Sequence, residues 1–191
     1  MGKQFSKIEP DHQTFIEQQK MFFVASAAAQ GRVNVSPKGM ASLVVLGDND
    51  VAYLDSTGSG SETRAHLLAS DDKRLTIMFC AFDGDPVILR LYGQARSLMR
   101  GTADYEELLP RFEAIPGARQ IVRLFVDLVQ TSCGMGVPLF DYREDRQNLR
   151  RYWAARGVDM LRKYWGLKNA QSIDGLPTHF DPEAMAPEHG D

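Results

Sequence analysis

The stretch Ser42-Leu43-Val44-Val45-Leu46-Gly47-Asp48-Asn49-Asp50-Val51-Ala52-Tyr53-Leu54 decides the fold. Two short apolar runs flank a Gly/Asp/Asn segment, the pattern of two strands joined by a tight turn. Upstream, residues 22–26 read as a strand. Residues 32–36 alternate with period 2, as a half-buried strand does, and Pro37-Lys38-Gly39 ends them. Downstream, residues 75–82 form a strongly apolar strand. Asp83-Gly84-Asp85-Pro86 turns it into a second strand over 87–97. Residues 121–129 read as one more long strand. Such hairpin-linked strands, six or seven in all, predict an antiparallel barrel rather than βαβ winding.

Helices are inserted at a few points. One is expected over 12–21, capped by Asp11, with Phe15, Ile16, Gln19 and Phe22 on neighbouring turns. Another covers 63–69. A third, over 104–114, places Tyr105, Leu108, Leu109 and Phe112 on one face, and Pro116-Gly117 breaks it. Residues 143–156 and 158–164 continue as helices with an apolar stripe of Leu149, Tyr152, Trp153, Met160, Leu161 and Trp165. Residues 1–10, and those from Pro177 onward, read as loose. With no repeat or linker, the 191 residues form one domain. Its barrel spans about 15–138, a helical extension about 143–178 and a loose tail 179–191.

Composition narrows the function. Hydrophobic residues make up 43% of the chain, enough for a substantial core. Lys+Arg number 22 against 25 Asp+Glu, a net charge of −3 that argues against nucleic acid as partner. No apolar run approaches 18 residues, so no membrane span is expected. The leader has no apolar signal region, and Ser6 after Gly2 is only a weak myristoylation match. Cys80 and Cys133 cannot build a disulfide framework or a Cys-rich zinc site, which points to a reduced, cytoplasmic protein. His12, His66, His179 and His189 lack metal-ligand spacing, and Asp48-Asn49-Asp50 lacks the rest of a calcium loop, so no metal is expected.

Three segments carry chemistry. Asp55-Ser56-Thr57-Gly58-Ser59-Gly60-Ser61-Glu62-Thr63-Arg64 is a Gly/Ser-rich entry to a helix, with Ser59/Glu62 as a capping box or Ser61 as the cap. Helix N–H groups attract anions, glycines admit a phosphate, and Ser61, Thr63 and Arg64 add donors. An ordinary capped helix explains the segment equally well, and Glu62 suits a phosphate only if it turns away. Asn34 and Ser36 share one strand face, and Lys38 follows with a positive charge. Read alone, this segment is an ordinary strand rim. The run Gln130-Thr131-Ser132-Cys133-Gly134-Met135-Gly136 follows the last long strand. Its Gly134-x-Gly136 lacks the third glycine of a dinucleotide fingerprint, and no His or acid near Cys133 supports a nucleophile.

In this order, these segments resemble the pyridoxamine 5'-phosphate oxidase-like, FMN-binding split-barrel family. The likeness runs from Phe15 through Leu89-Arg90-Leu91-Tyr92-Gly93-Gln94-Ala95 to Pro138. Lys168-Asn169 and Ser172-Ile173-Asp174-Gly175-Leu176-Pro177-Thr178 are similar to the end of an uncharacterised branch. The resemblance implies a six-stranded antiparallel split barrel with flanking helices (α+β), a homodimer, and FMN at its interface. Asn34, Ser36 and Lys38 would line the flavin. Ser61, Thr63 and Arg64 would hold its phosphate. Gln130, Ser132, Cys133 and Gly134 would lie near the ring system, from the second subunit in one arrangement, and Asn169 and Ser172 would close over the site. The namesake oxidase ends in an Arg-x-His-type segment that grips its substrate; this chain ends differently, so pyridoxamine phosphate is not the expected substrate.

The implied activity is that of an FMN-dependent oxidoreductase on an unknown small molecule, with no catalytic acid or base assigned. The alternatives are a flavin-binding carrier, sensor or electron-transfer protein without turnover, a barrel that holds haem or a deazaflavin, and a split barrel with no cofactor.

Overall fold

The hairpin at the centre of the sequence forms as read. In the computed structural model, which describes residues 2–180 and Pro182, β4 (Leu43–Gly47) returns as β5 (Asp50–Ser56), with Leu43 opposite Tyr53 and Val45 opposite Val51. In chain order the elements are β1 (Lys3–Phe5), α1 (Pro10–Gln18), β2 (Phe22–Ser26), β3 (Asn34–Lys38), β4, β5, α2 (Glu62–Ala69), β6 (Arg74–Cys80), β7 (Val87–Met99), α3 (Ala103–Leu108), β8 (Ala118–Cys133), α4 (Asn148–Ala154) and α5 (Gly157–Tyr164). The fold is α+β, with one antiparallel sheet ordered β3-β2-β6-β7-β8-β5-β4 and β1 paired to β8. It has the make-up of a split barrel, with eight strands among the described residues rather than the expected six.

The strands hold together because their inward residues interlock. Val24, Val51, Ile77, Leu89, Leu91, Val122, Leu124 and Val129 are each fully buried in one cluster. Burial of a side chain of this size contributes about 1.5–3 kcal/mol, so this cluster dominates the stability of the sheet. Tyr105, Leu54 and Ile121 anchor a second cluster beneath α3. Trp153, Leu161, Trp165 and Phe180 form a third, which docks the C-terminal extension. Gly93 sits at a register shift between β7 and β8, where a Cβ would fall 2.0 Å from the Phe125 carbonyl oxygen. Gly117 has φ of +78° and faces the Trp153 ring at 2.5 Å from a would-be Cβ. Only glycine meets both demands at that turn.

Several local expectations need correction. The leader is not loose: Lys3–Phe5 pairs with β8, and Ile8 is buried. Helix α1 starts at Pro10 and is capped at Glu9, whose backbone N–H donates to His12 Nδ1 at 3.1 Å, so Asp11 is not its cap. Strand β3 continues through Pro37 and Lys38, because an edge strand tolerates a residue without an N–H. The helix expected over 104–114 is α3 followed by a 3-10 turn at Leu109–Arg111. The helix expected over 143–156 is confined to Asn148–Ala154. Strand β8 runs from Ala118 to Cys133, so Gln130, Ser132 and Cys133 lie inside it rather than beyond it. The chain is not loose from Pro177 through Phe180: Thr178 is fully buried and Phe180 nearly so. The rest of the tail, Asp181 and residues 183–191, lies outside the described residues.

Candidate functional site

Strands β3 and β5, the start of β8 and the mouth of α2 enclose a cavity of about 360 Å³. Its lining includes Asn34, Ser36, Lys38, Ser61 and Thr63, which the sequence had singled out, and also Asp55, Arg119 and Gln120. A larger cavity of about 530 Å³, lined by Phe22, Leu43, Arg111 and Tyr142 among others, contains none of the residues singled out.

The floor of the smaller cavity is an ionic network. Asp55 is opposite Gln120 in the β5–β8 register, which brings the strand ends together. The Asp55 carboxylate accepts hydrogen bonds from Lys38 Nζ at 2.6 Å, Arg119 Nε at 2.9 Å and Gln120 Nε2 at 2.8 Å. Burial alone would push the Asp55 carboxyl up. The adjacent Arg119 and Lys38 charges, with hydrogen bonds from Lys38 and Gln120, outweigh it and hold the group well below the usual carboxylate range. One carboxylate between two cations leaves the network with net positive charge. Glu62 also lines the cavity, at its rim, where its carboxylate accepts from the Ile173 backbone N–H.

The other rim is built for donors. Ser61 precedes α2 as its N-cap yet makes no side-chain cap bond, and its buried Oγ has no hydrogen-bond partner among the described residues. Neither the Ser61 cap bond nor the expected Ser59/Glu62 box forms, since Glu62 is committed elsewhere. Asn34 Nδ2 donates to Thr63 Oγ1 at 3.3 Å, and Ser36 Oγ donates to Asn34 Oδ1 at 3.2 Å, which ties β3 to α2. A positive floor, an orphan hydroxyl and a helix N-terminus behind two glycines suit an anionic group.

Arg64 is placed differently from expectation. It does not line the cavity; it is buried and donates to Ser97 Oγ at 2.7 Å, the Thr178 carbonyl at 2.5 Å and the His179 carbonyl at 3.4 Å. Its guanidinium also lies 5.1 Å from the Phe180 ring, and burial, then the nearby Arg119 charge, pull it down to about 10. Gln130, Ser132 and Cys133 stand at the opposite end of β8. Ten residues separate Gln120 from Gln130, roughly 30 Å of strand. There Gln130 accepts from the Tyr92 hydroxyl and Ser132 from Arg90. Gly134 follows on, close against the Pro86 and Val87 backbone. Within one chain these four residues do not meet the cavity.

Asn169 reaches the cavity floor from the C-terminal extension, bonding Arg119 at 3.0 Å. Ser172 instead caps its own turn, accepting from the backbone of Asp174 and Leu176. The cysteines are both free; Cys80 pairs opposite Ile88 and Cys133 opposite Val87, so β7 lies between them. Two strand spacings are about 9.6 Å, beyond the reach of a disulfide. Among the described residues, no cluster of three His, Cys, Asp or Glu could hold a metal ion, and no helix is long and apolar enough to cross a membrane.

Asp55, Arg119 and Gln120 were missed in the sequence. A signal was present: Asp55 ends an apolar strand, and Arg119-Gln120 opens another. Charged residues inside runs buried on both faces require partners.

The fold and cavity define a class: an antiparallel split-barrel protein with a polar pocket at a helix mouth. The sequence places it further. A family model described as pyridoxamine 5'-phosphate oxidase matches residues 8–133. The chain is 38% identical over 179 residues to the pyridoxamine 5'-phosphate oxidase family protein ustO of Aspergillus flavus, covering 83% of this chain and 70% of that one. A putative pyridoxamine 5'-phosphate oxidase from Lactobacillus delbrueckii superposes with a TM-score of 0.51 at 16% identity, over 65% of this chain and 94% of that chain. The protein belongs to the pyridoxamine 5'-phosphate oxidase family.

Proposed function

We propose that this protein binds FMN and acts as an FMN-dependent oxidoreductase on a small substrate, as a cytoplasmic homodimer. The observation that carries the reading is the buried, unpartnered Ser61 hydroxyl, set at the α2 N-terminus above the Lys38–Asp55–Arg119 floor. An unsatisfied buried hydroxyl costs about 1–3 kcal/mol, which a phosphate oxygen would relieve. Ser61, Thr63, Lys38 and Arg119 would hold that phosphate, and Arg119 takes the cationic role that the sequence assigned to Arg64. Asn34 and Ser36 would follow the flavin along β3.

A homodimer accounts for the remaining residues. Gln130, Ser132, Cys133 and Gly134 lie too far along β8 to share a site with Ser61 of the same chain. A second copy would bring its own set to the ring system. The flavin would supply hydride exchange with the substrate; the protein's part is to bind the phosphate, orient the ring and exclude water.

The absorption spectrum of the purified protein, with mass spectrometry of any released ligand, tests the reading. Flavin absorbance, an FMN mass and a dimeric mass by light scattering are expected. Protein that stays colourless after incubation with FMN would refute it. Bleaching of the bound flavin by NADH or NADPH separates turnover from a carrier role.

A further inference from the structure

The C-terminal extension sends three side chains to one short loop. Trp153 Nε1 donates to the Thr57 carbonyl at 2.8 Å, and Trp165 Nε1 donates to Thr57 Oγ1 at 2.8 Å. Asn169 Nδ2 donates to the Gly58 carbonyl at 3.0 Å. Thr57 is itself fully buried and bonded to the Gly117 carbonyl through its N–H and its hydroxyl. The segment leading into Ser61 is thus held from beneath. All three donors lie outside residues 8–133, the span that the family model matches.

Asn169 does more than the two tryptophans. It is fully buried at the end of a π-helical turn, Trp165–Asn169, one helical turn after Trp165. Its Oδ1 accepts from Arg119 Nη1 at 3.0 Å while its Nδ2 holds Gly58. One amide therefore sets the loop carrying Ser61 and the guanidinium of the floor relative to each other. Arg119 spends Nε on Asp55 and one N–H on Asn169, and among the described residues its three other N–H donors have no protein acceptor. The backbone oxygen of Asn169 accepts from the Thr178 hydroxyl, which fixes the residue from its other side.

We infer that Asn169 is a positioning residue of the phosphate half of the site: through one side-chain amide it aligns Arg119 with the Gly58–Ser61 loop for a phosphate monoester. This rests on the FMN reading and adds to it a recognition element supplied by the C-terminal extension. The amide is required in both its functions. An aspartate keeps an acceptor for Arg119 but loses the donor to Gly58, and an alanine loses both.

The test compares FMN with riboflavin, which shares the ring and ribityl chain but lacks the phosphate. Both are titrated against the full-length protein by flavin fluorescence. Asn169→Ala is expected to weaken FMN binding at least tenfold, the scale of one charge-assisted hydrogen bond. Riboflavin affinity is expected to stay within about threefold, so the FMN-to-riboflavin preference collapses. A general loss of structure would weaken both ligands together and leave the preference intact. Asn169→Asp is measured beside it and decides the matter if the alanine variant does not fold. If wild type prefers FMN and the variants keep that preference, the inference falls alone. If wild type binds neither ligand, it falls together with the FMN reading.

Discussion

Replacing Asp55 by asparagine removes one charge from the cavity floor and almost no volume. The carboxylate is 2% exposed and accepts from Lys38, Arg119 and Gln120. Asparagine keeps one acceptor oxygen, but its NH2 group then faces donors. Arg119, equally buried, is left as an uncompensated cation. Breaking a buried pair in this way costs about 3–5 kcal/mol. The Lys38 arm is partly solvated and adds little. For a chain of this length each kcal/mol moves the melting temperature by about 2–4 °C, so Asp55→Asn should melt roughly 10 °C below wild type at pH 7. Asp50→Asn is the control: Asp50 pairs with Arg123 where both side chains are partly exposed, and its loss should cost about 1 kcal/mol or less. Urea unfolding followed by circular dichroism measures both. The pH dependence has a fixed sign. Because folding lowers the Asp55 carboxyl, its contribution is complete above the unfolded value of about 3.9 and is lost as pH falls toward the folded value. The gap between wild type and Asp55→Asn should therefore hold from pH 7 to about 4 and narrow below it. A gap under about 1 kcal/mol at pH 7, or one that widens on acidification, refutes the reasoning.

Ser61→Ala should leave thermal stability unchanged or slightly raised, because the hydroxyl has no protein partner, and should weaken FMN binding by about 1 kcal/mol in a fluorescence titration. Gly93→Ala should lose soluble, folded protein, since its Cβ would meet the Phe125 carbonyl oxygen at 2.0 Å; wild-type circular dichroism and expression would contradict this. Arg64→Ala should release the segment around Thr178 and Phe180, seen as faster proteolysis near the C-terminus and a shifted Trp165 emission. An unchanged digestion pattern would show that Arg64 does not anchor that segment.

The strand pattern was legible because alternation, turn residues and apolar runs are local. The β4–β5 hairpin, β6, β7 and α2 stand within a few residues of their expected places. Asn34, Ser36, Lys38, Ser61 and Thr63 were grouped in the sequence only by the family resemblance, since each segment read alone is an ordinary strand rim or capped helix; the structure sets all five on one cavity. The ends of α1 and β8 were less legible, since pairing with β1 and β7 extends β8 through residues whose own composition reads as loop.

Local pattern along the chain settled the antiparallel, hairpin-linked class of fold and the start of α2 to within a residue, because hydrophobic periodicity and Gly/Ser breaks act over a few residues. The partners of the buried charges were settled by three-dimensional packing. Asp55 meets Gln120 only through the β5–β8 register, and Arg119 meets Asn169 only after the extension folds back across 50 residues of chain. Arg64 turns from the cavity to the Thr178 carbonyl, 114 residues away, because the docked segment brings an acceptor within its reach. A charge in a low-dielectric interior takes whichever partner the folded chain delivers to it, and sequence neighbours do not carry that information.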